Sequence, residues 1–477
     1  MDTLPRCAVA DSVEAATAEA ADGGVEFINH YGLVTHRGCL RCQVVPGKGR
    51  TLVAMRDFNP GDVILEELPL HIVQEEEDSA RYQRLCELCE EHNFAYEPLW
   101  YWCALKSLSA TELGRSSCGG NSNELPWAPL DEHKRHMLEM LHPGEERGPG
   151  EACIKLKEEF GLSIESTELE RLLQVWIHNT FDYSDEPQGY ATYFFPSFMS
   201  HSCYPSALWH YSQHDNTTYV LRARRRIRRW EEVTVSYLDE TLLLDHAPAR
   251  RWDLKETKQF WCLCERCAGA HDRSRGMKCI HCREGSVFAW APGHRSAEDG
   301  NLQVDLFVGA ECSSCSHKMS QAEAQQLNRF ELSLQRLVDS WEERDLQDRD
   351  ALNGKRLIAA AFTQHSLVDR ALVQVAKYYK KARRWDAHCQ ALEERSNFQA
   401  AAYPGLSAER AWTMEAHADG CRKAAECTPE TARLRLQEAL RLYGKAYELI
   451  FVLFGDKHEY TESIRKKVRE TQKQLGL

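Results

Sequence analysis

Hydrophobic and polar positions change rhythm several times along the 477 residues. From 31 to 75 they come as short runs between turns. "PGKGRTLVAMRDFNPGDVILEELPL" has glycines at 47 and 49, an extended run, the turn "NPGD" and a second β-branched run, a pattern that predicts strands. The character breaks at "QEEEDSARYQRL". From there to about 164, apolar residues recur every three or four positions, as in "YEPLWYWCALKSL" and "HKRHMLEML", which predicts helices. Two loops rich in Gly, Ser, Asn and Pro, "GRSSCGGNSNELPWAP" and "HPGEERGPG", interrupt them. "TELERLLQVWIHNTFDY" predicts a helix capped by Thr167. Short strands are expected in "YATYFFPSFM", "SALWHYS", "TTYVLRARRRI" and "EEVTVSYLD". Beyond a cysteine-rich part at 262–315, everything from about 320 reads as helix, in runs at 321–347, 354–400, 407–425 and 429–454. Thr428 before a proline opens the last of these runs, and Gly455 closes it. Long helix pairs ending without a strand suggest a TPR-like stack, although no clean 34-residue repeat is present.

Length implies two to four domains, and an apolar share of 43% is enough for each to bury a core. A net charge of −13 argues against broad binding to nucleic-acid backbones. No apolar run approaches the ~20 residues of a membrane span. The acidic, Ala-rich start "MDTLPRCAVADSVEAATAEAADGG" does not read as a signal peptide, and residues 1–30 are expected to be a mobile or loosely helical tail. Nineteen cysteines, several at C-x-C or C-x-x-C spacing, then point to thiolate–metal sites in a reducing compartment rather than to disulfides. The chain is therefore expected in the cytoplasm, the nucleus or both, with no membrane partner.

"CLCERC" supplies Cys262, Cys264 and Cys267 within six residues. Structural zinc takes four ligands, so a fourth must come from elsewhere. Cys203, in the turn "FMSHSCYPSA", is the leading candidate; the bland alternative is a buried apolar cysteine. "KCIHC" and "ECSSC" form a second set, Cys279, Cys282, Cys312 and Cys315, separated by 29 residues. That gap is longer than in an ordinary zinc ribbon, but four cysteines still make a closed structural site. Cys86, Cys89 and His92, with Cys103 or Cys118 to complete them, and the pair Cys39 and Cys42 default to core cysteines.

Five motifs fall in one order: "GKGRTLVAMRDFNPGDVILEELPL", "HNTF", "FMSHSCYPSA", "EEVTVSYLD" and "FWCLCERC". Together they resemble the SET-domain protein lysine methyltransferases, most of all the SMYD (SET and MYND) branch. The resemblance implies an α+β protein: a split SET-domain β-fold, a zinc-binding post-SET tail, a zinc ribbon and an all-α TPR-like C-terminal domain. The implied layout is SET segments at 31–75 and 165–245, a helical insert at 76–164, the tail at 246–275, the ribbon at 276–320 and the helical domain at 321–477. It joins Cys203 to Cys262, Cys264 and Cys267 around one zinc. It places Lys48, Gly49, Arg50, Asn179, Ser200, His201 and Phe260 around S-adenosylmethionine, and Tyr237 beside the transferred methyl at the end of a lysine channel. The implied substrate is a protein lysine, histone or not, and the C-terminal helices offer a surface to protein partners.

Three departures stand out. Ser200 and Ser206 replace the asparagines that flank the family's turn, and serine supplies only part of an amide's hydrogen bonding. Lys258 stands where the branch shows a tyrosine lining the lysine channel. No MYND finger is recognisable in 76–164. The expected function is thus S-adenosylmethionine-dependent methylation of a lysine ε-amine. The alternative is a catalytically inactive SET-fold scaffold acting through its helices and ribbon. The basic run "RARRRIRRW" is read as a solvated turn rather than a nucleic-acid site.

Overall fold

A computed structural model describes residues 24–114, 126–145, 148–295, 306–344 and 346–477. Residues 24–36 form a helix where a tail and then strands were expected. Its Ile28 is fully buried in the first core, and Asn29 acts as a strand edge. The Asn29 amide donates to the Cys42 carbonyl at 3.1 Å and accepts from the Cys42 N–H at 2.7 Å. The first 23 residues lie outside the described part.

β1 (Leu40–Val45) and β2 (Gly49–Ala54) pair antiparallel across a tight turn. Gly47 and Gly49 both sit at φ +75°, a region that costs an L side chain steric strain. β3 (Val63–Glu67) follows the "NPGD" turn, in which the Asn59 N–H donates to the Asp62 carboxylate at 2.8 Å. β4 (His71–Gln74), β5 (Phe181–Asp185) and β6 (Gln188–Thr192) make one sheet in the order β4-β6-β5. β7 (Ser200–His201) runs parallel to β10 (Thr234–Val235), while β8 (Ala207–Tyr211) and β9 (Tyr219–Ala223) join β3 in the order β3-β9-β8. "TYFFPSF" leaves the strand after Thr192. Tyr193, Phe194 and Phe195 instead plunge into the core, ahead of a 3-10 turn at Pro196–Phe198. Buried Glu67 holds that corner: its carboxylate accepts the Phe194 and Phe195 N–H groups at 2.8 and 3.1 Å and meets His36 Nε2 at 2.7 Å.

The insert is helical, with helices at Ala80–His92, Pro98–Lys106, Ala110–Leu113, Glu132–Glu139 and Glu151–Phe160 around a core of their own. The helix Ser166–Asn179 begins one residue before the expected Thr167 cap, with Glu165 at the cap position. It shares Leu169, Leu172, Leu173 and Trp176 with the insert and turns Val175 to the strand core. Cys86, Cys89 and Cys103 pack in the insert's core, and Cys42 lies in the strand core, so none of them joins a metal-ligand cluster among the described residues. Cys118 lies outside the described residues.

β11 (Arg275–Lys278), β12 (Ser286–Phe288) and β13 (Phe362–His365) form the last sheet, ordered β12-β11-β13. β13 interrupts a stretch that periodicity reads as helix from 354 to 400. Its burial against β11 and its buried His365, whose Nδ1 accepts the Leu367 N–H at 3.1 Å, split that run into Asp348–Ala361 and Ser366–Lys381. Gln321–Glu342 precedes them. Trp385–Ala402, Ala408–Cys427, Ala432–Phe454 and Glu459–Leu475 follow, each packed on the next.

Candidate active site

Two groups of four cysteines assemble as their spacing proposed. Cys203, Cys262, Cys264 and Cys267 bring their sulfurs within 4.8 Å of one another, as do Cys279, Cys282, Cys312 and Cys315. In the first group Cys203 Sγ lies 3.6 Å from that of Cys267 and 4.0 Å from that of Cys262. In the second, Cys279 and Cys315 are 3.9 Å apart and Cys282 and Cys312 are 3.7 Å apart. Sulfurs bound about 2.3 Å from one tetrahedral zinc would stand about 3.8 Å apart, so both sets fit that ion. Their surroundings fit thiolates as well. Backbone N–H groups of Cys264, Gly285 and Ser314 donate to Cys262, Cys282 and Cys312 sulfurs at 3.4–3.5 Å. Arg250 is wholly buried, and its guanidinium donates to Cys267 Sγ at 3.8 Å, which offsets the surplus negative charge of four thiolates on a dication. Hydrogen bonds with Cys262, then Cys264 and Cys267, push the Cys203 thiol far down, and hydrogen bonds with Cys203, then Cys264 and Cys267, push the Cys262 thiol far up. Four thiolates this close repel one another, and a cation is what would let all four ionise.

The tail cluster is wired to the strand crossing. His201 Nε2 lies 3.3 Å from Cys203 Sγ, and its Nδ1 accepts the Tyr237 N–H at 3.0 Å. Tyr237 O–H donates to the Met199 carbonyl at 2.6 Å. Phe260, two residues before Cys262, packs its ring 6.1 Å from His201 and 6.3 Å from Tyr237, edge to face with the latter. Tyr237 is 42% exposed as a residue, and its hydroxyl is the end held by the Met199 carbonyl. Burial, with Glu232 nearby, pushes its pKa up to about 12, so the phenol stays protonated at neutral pH.

Ser206 is buried beneath this crossing. Its hydroxyl accepts the Thr234 N–H at 2.9 Å, and its own N–H donates to Thr234 Oγ1 at 3.1 Å. A short hydroxyl therefore ties the turn to β10 without the family's amide. Ser200 pairs with Thr234 in the parallel register.

The remaining predicted residues are Lys48, Gly49, Arg50 and Asn179. Lys48, in the β1–β2 turn, pairs with Glu232 at 2.7 Å. The Arg50 guanidinium stacks over Phe198, 4.9 Å from the ring centre, and burial lowers its pKa. Among the described residues, chain neighbours aside, no atom lies within 4 Å of the place a Gly49 side chain would occupy. Asn179 is buried, and its amide N–H groups donate to the His142 and Val175 carbonyls, both at 2.8 Å.

Two further features bear on the site. Lys258 points its ammonium towards Tyr237, 6.0 Å from the ring centre, and burial lowers its pKa. The basic run is no solvated turn throughout: Arg224 is buried, bidentate to Glu240 at 2.6 and 2.8 Å, and donates to the Leu406 carbonyl at 2.6 Å. It thereby fastens the loop between helices Trp385–Ala402 and Ala408–Cys427 to the strand domain.

A family model for the SET domain matches residues 49–238. Among curated proteins, "Histone-lysine N-methyltransferase ASHR1" of Arabidopsis thaliana is 25% identical over 276 residues, covering 48% of this chain and 55% of that protein. The chain thus spans about half the length of the curated relative it matches. Solved structures with some likeness include the SET domain of LSMT bound to lysine and AdoHcy, at 11% identity and a TM-score of 0.31 over 95% of this chain and 92% of that one. Rubisco LSMT bound to AdoMet aligns at 12% identity and 0.28 over 80% and 94%. Scores of this size add nothing to the fold argument, which rests on the strands and motifs. β2 to β10, the Ser200–Ser206 turn and Tyr237 all lie in the matched stretch, and residues 49–238 of this chain are a SET domain.

Proposed function

We propose that the protein is a lysine N-methyltransferase that uses S-adenosylmethionine and acts on a lysine ε-amine of a protein substrate. The observation that carries the reading is the arrangement at Tyr237. Within a SET domain, its hydroxyl is fixed to the Met199 carbonyl while its ring stays open beside His201 and Phe260.

The residues present suit the cofactor. Both Asn179 amide hydrogens are engaged by carbonyls, which turns the amide oxygen into the acceptor for the cofactor's ammonium. The open space at Gly49 lets backbone approach a ligand, and Lys48 and Arg50 supply positive charge around its carboxylate. Ser200, His201 and Phe260 form the wall for the adenosine. When bound, the cofactor supplies a methyl on a positively charged sulfur. The chain supplies position. Displacement needs amine, methyl and sulfur in line, and alignment contributes much of the rate. The amine must be neutral, whereas a free lysine has a pKa of about 10.4. Aromatic surroundings at Tyr237 and Phe260 disfavour the ammonium, so no strong general base is required. Tyr237 Oη, already donating to Met199, accepts from the amine and aims it. Cys203, Cys262, Cys264 and Cys267 would hold a zinc, and Cys262 would then keep Phe260 against His201. We read the C-terminal helices as a TPR-like wall that bounds the substrate groove.

Lys258 favours a second reading, a scaffold whose channel is blocked by its own cation. Incubating the full chain with methyl-labelled cofactor and a mixed histone and cell-protein substrate separates the two. The enzyme reading predicts label on lysine that falls at least tenfold in Tyr237→Phe. Cofactor binding without label on any protein would support the scaffold.

A further inference from the structure

We infer that the helical end carries a third soft-metal site, formed by Cys389, His417 and Cys421 and suited to a zinc-class dication. Cys389 lies on the helix Trp385–Ala402, and His417 and Cys421 on Ala408–Cys427, which packs against it. A spacing of four puts His417 and Cys421 on one helix face, turned to Cys389. Their ligand atoms all lie within 4.8 Å of one another, and all three residues are buried. The two sulfurs are 3.8 Å apart, about the separation that a shared tetrahedral zinc requires and inside the 3.6–4.0 Å seen within the other two clusters.

The packing around the group is cut to let it form. Gly420 precedes Cys421 in the helix contact, and a side chain there would meet Cys389 Sγ at 3.0 Å and His388 Cδ2 at 2.8 Å. Glycine therefore lets the two helices close on the sulfurs. His388 holds the Ala376 carbonyl through Nδ1 at 2.9 Å. Its Nε2 lies 3.4 Å from the same Gly420 β-position, so His388 packs against this contact without joining the three ligand atoms. Two thiolates and one imidazole are zinc-type donors that leave a fourth position for water, and they lack the oxygen donors that calcium or magnesium needs.

The place of the cluster in the fold gives the ion a role. The same two helices form the hairpin whose loop is bonded to Arg224, and Ala408 N–H donates to Glu240 at 3.0 Å. Cys389 stands 13 residues before the helix end at Ala402, about 20 Å along the axis. The ion would clasp the hairpin that far from its tip and keep the tip registered on the SET domain.

The test uses the full-length protein grown with zinc. An anomalous difference map at the zinc edge should show three peaks: one in each four-cysteine cluster, and one between Cys389, His417 and Cys421. Two peaks, with reduced thiols or a Cys389–Cys421 disulfide in the third position, would overturn the inference. By elemental analysis, zinc per chain should fall by one equivalent from wild type to Cys389→Ala/Cys421→Ala. An unchanged ratio would also overturn it. The map needs no variant, so it decides even if that double substitution fails to fold.

Discussion

Replacing Arg224 with alanine should release the helical hairpin from the SET domain. The Arg224 side chain is 3% exposed and makes three charge-assisted bonds, two to Glu240 and one to the Leu406 carbonyl. Its guanidinium also stacks on Tyr403, 5.1 Å from the ring centre. Truncation leaves the Glu240 carboxylate with only the Ala408 N–H as partner, in a site where it is 16% exposed. Removing one partner of such a pair costs about 3–5 kcal/mol, because the other charge stays buried. Loss of the stacking adds about 1 kcal/mol. In a chain of several domains this loss appears as local opening before global unfolding. Since about 1.4 kcal/mol is a factor of ten, amides of 405–410 should exchange at least ~10²-fold faster by hydrogen exchange and mass spectrometry. Arg224→Ala/Glu240→Gln should recover much of the loss, because the stranded charge is gone. If exchange at 405–410 changes by less than threefold in Arg224→Ala, Arg224 is not the fastening and the reasoning fails.

Other consequences can be checked alongside. His210 and His458 face each other between β8 and the start of the last helix, with ring centres 5.0 Å apart, beside Arg222. Burial first, and then these neighbouring cations, lowers both pKa values to about 4, against about 6.5 unfolded. Between those values the unfolded chain binds more protons, so stability should fall as pH drops from 6.5 towards 4 and stay flat above about 7. His458→Asn keeps a capping acceptor and should flatten the slope of Tm against pH; an unaltered slope would place its origin elsewhere. Gly455 has φ +88°, and a side chain there would sit 2.3 Å from an Arg222 nitrogen that is anchored near Gly61 and His210. Gly455→Ala should therefore cost about 1–3 kcal/mol and lower Tm by several degrees, and an unchanged Tm would contradict the close packing. Lys258→Met should lower KM for a lysine-bearing substrate several-fold at low salt with little change in kcat; no change in KM would put Lys258 outside the substrate's path.

How much of this was legible in the sequence varied with the range of the interaction. The ribbon cysteines announced themselves because each knuckle is local, and the "NPGD" and "PGKG" turns marked β1 to β3 for the same reason. Cys203 lies 59 residues from Cys262, and the missing fourth ligand of the C-x-C-x-x-C group, together with the order of motifs, linked them. Periodicity failed where a tertiary contact outweighed it. "FTQH" sits in an Ala-rich helical run, and it becomes β13 because it pairs with β11 and buries His365. Arg222 on β9 and Arg224 just beyond it are separated by apolar Ala223, and that spacing could have shown that part of the basic run points inward. The trio Cys389, His417 and Cys421 was missed because two helices must pack before it exists. The H-x-x-x-C spacing on one helix face was the available signal.

The central claim is that the SET domain of this chain keeps a working S-adenosylmethionine pocket although serine stands at 200 and 206. Calorimetric titration of the cofactor into zinc-replete protein tests it without knowledge of the substrate. The account predicts one site per chain with micromolar affinity, weakened at least tenfold in Asn179→Ala. No binding at millimolar cofactor, with Ser200→Asn restoring it, would contradict the account and mark the turn as the place where the pocket was lost.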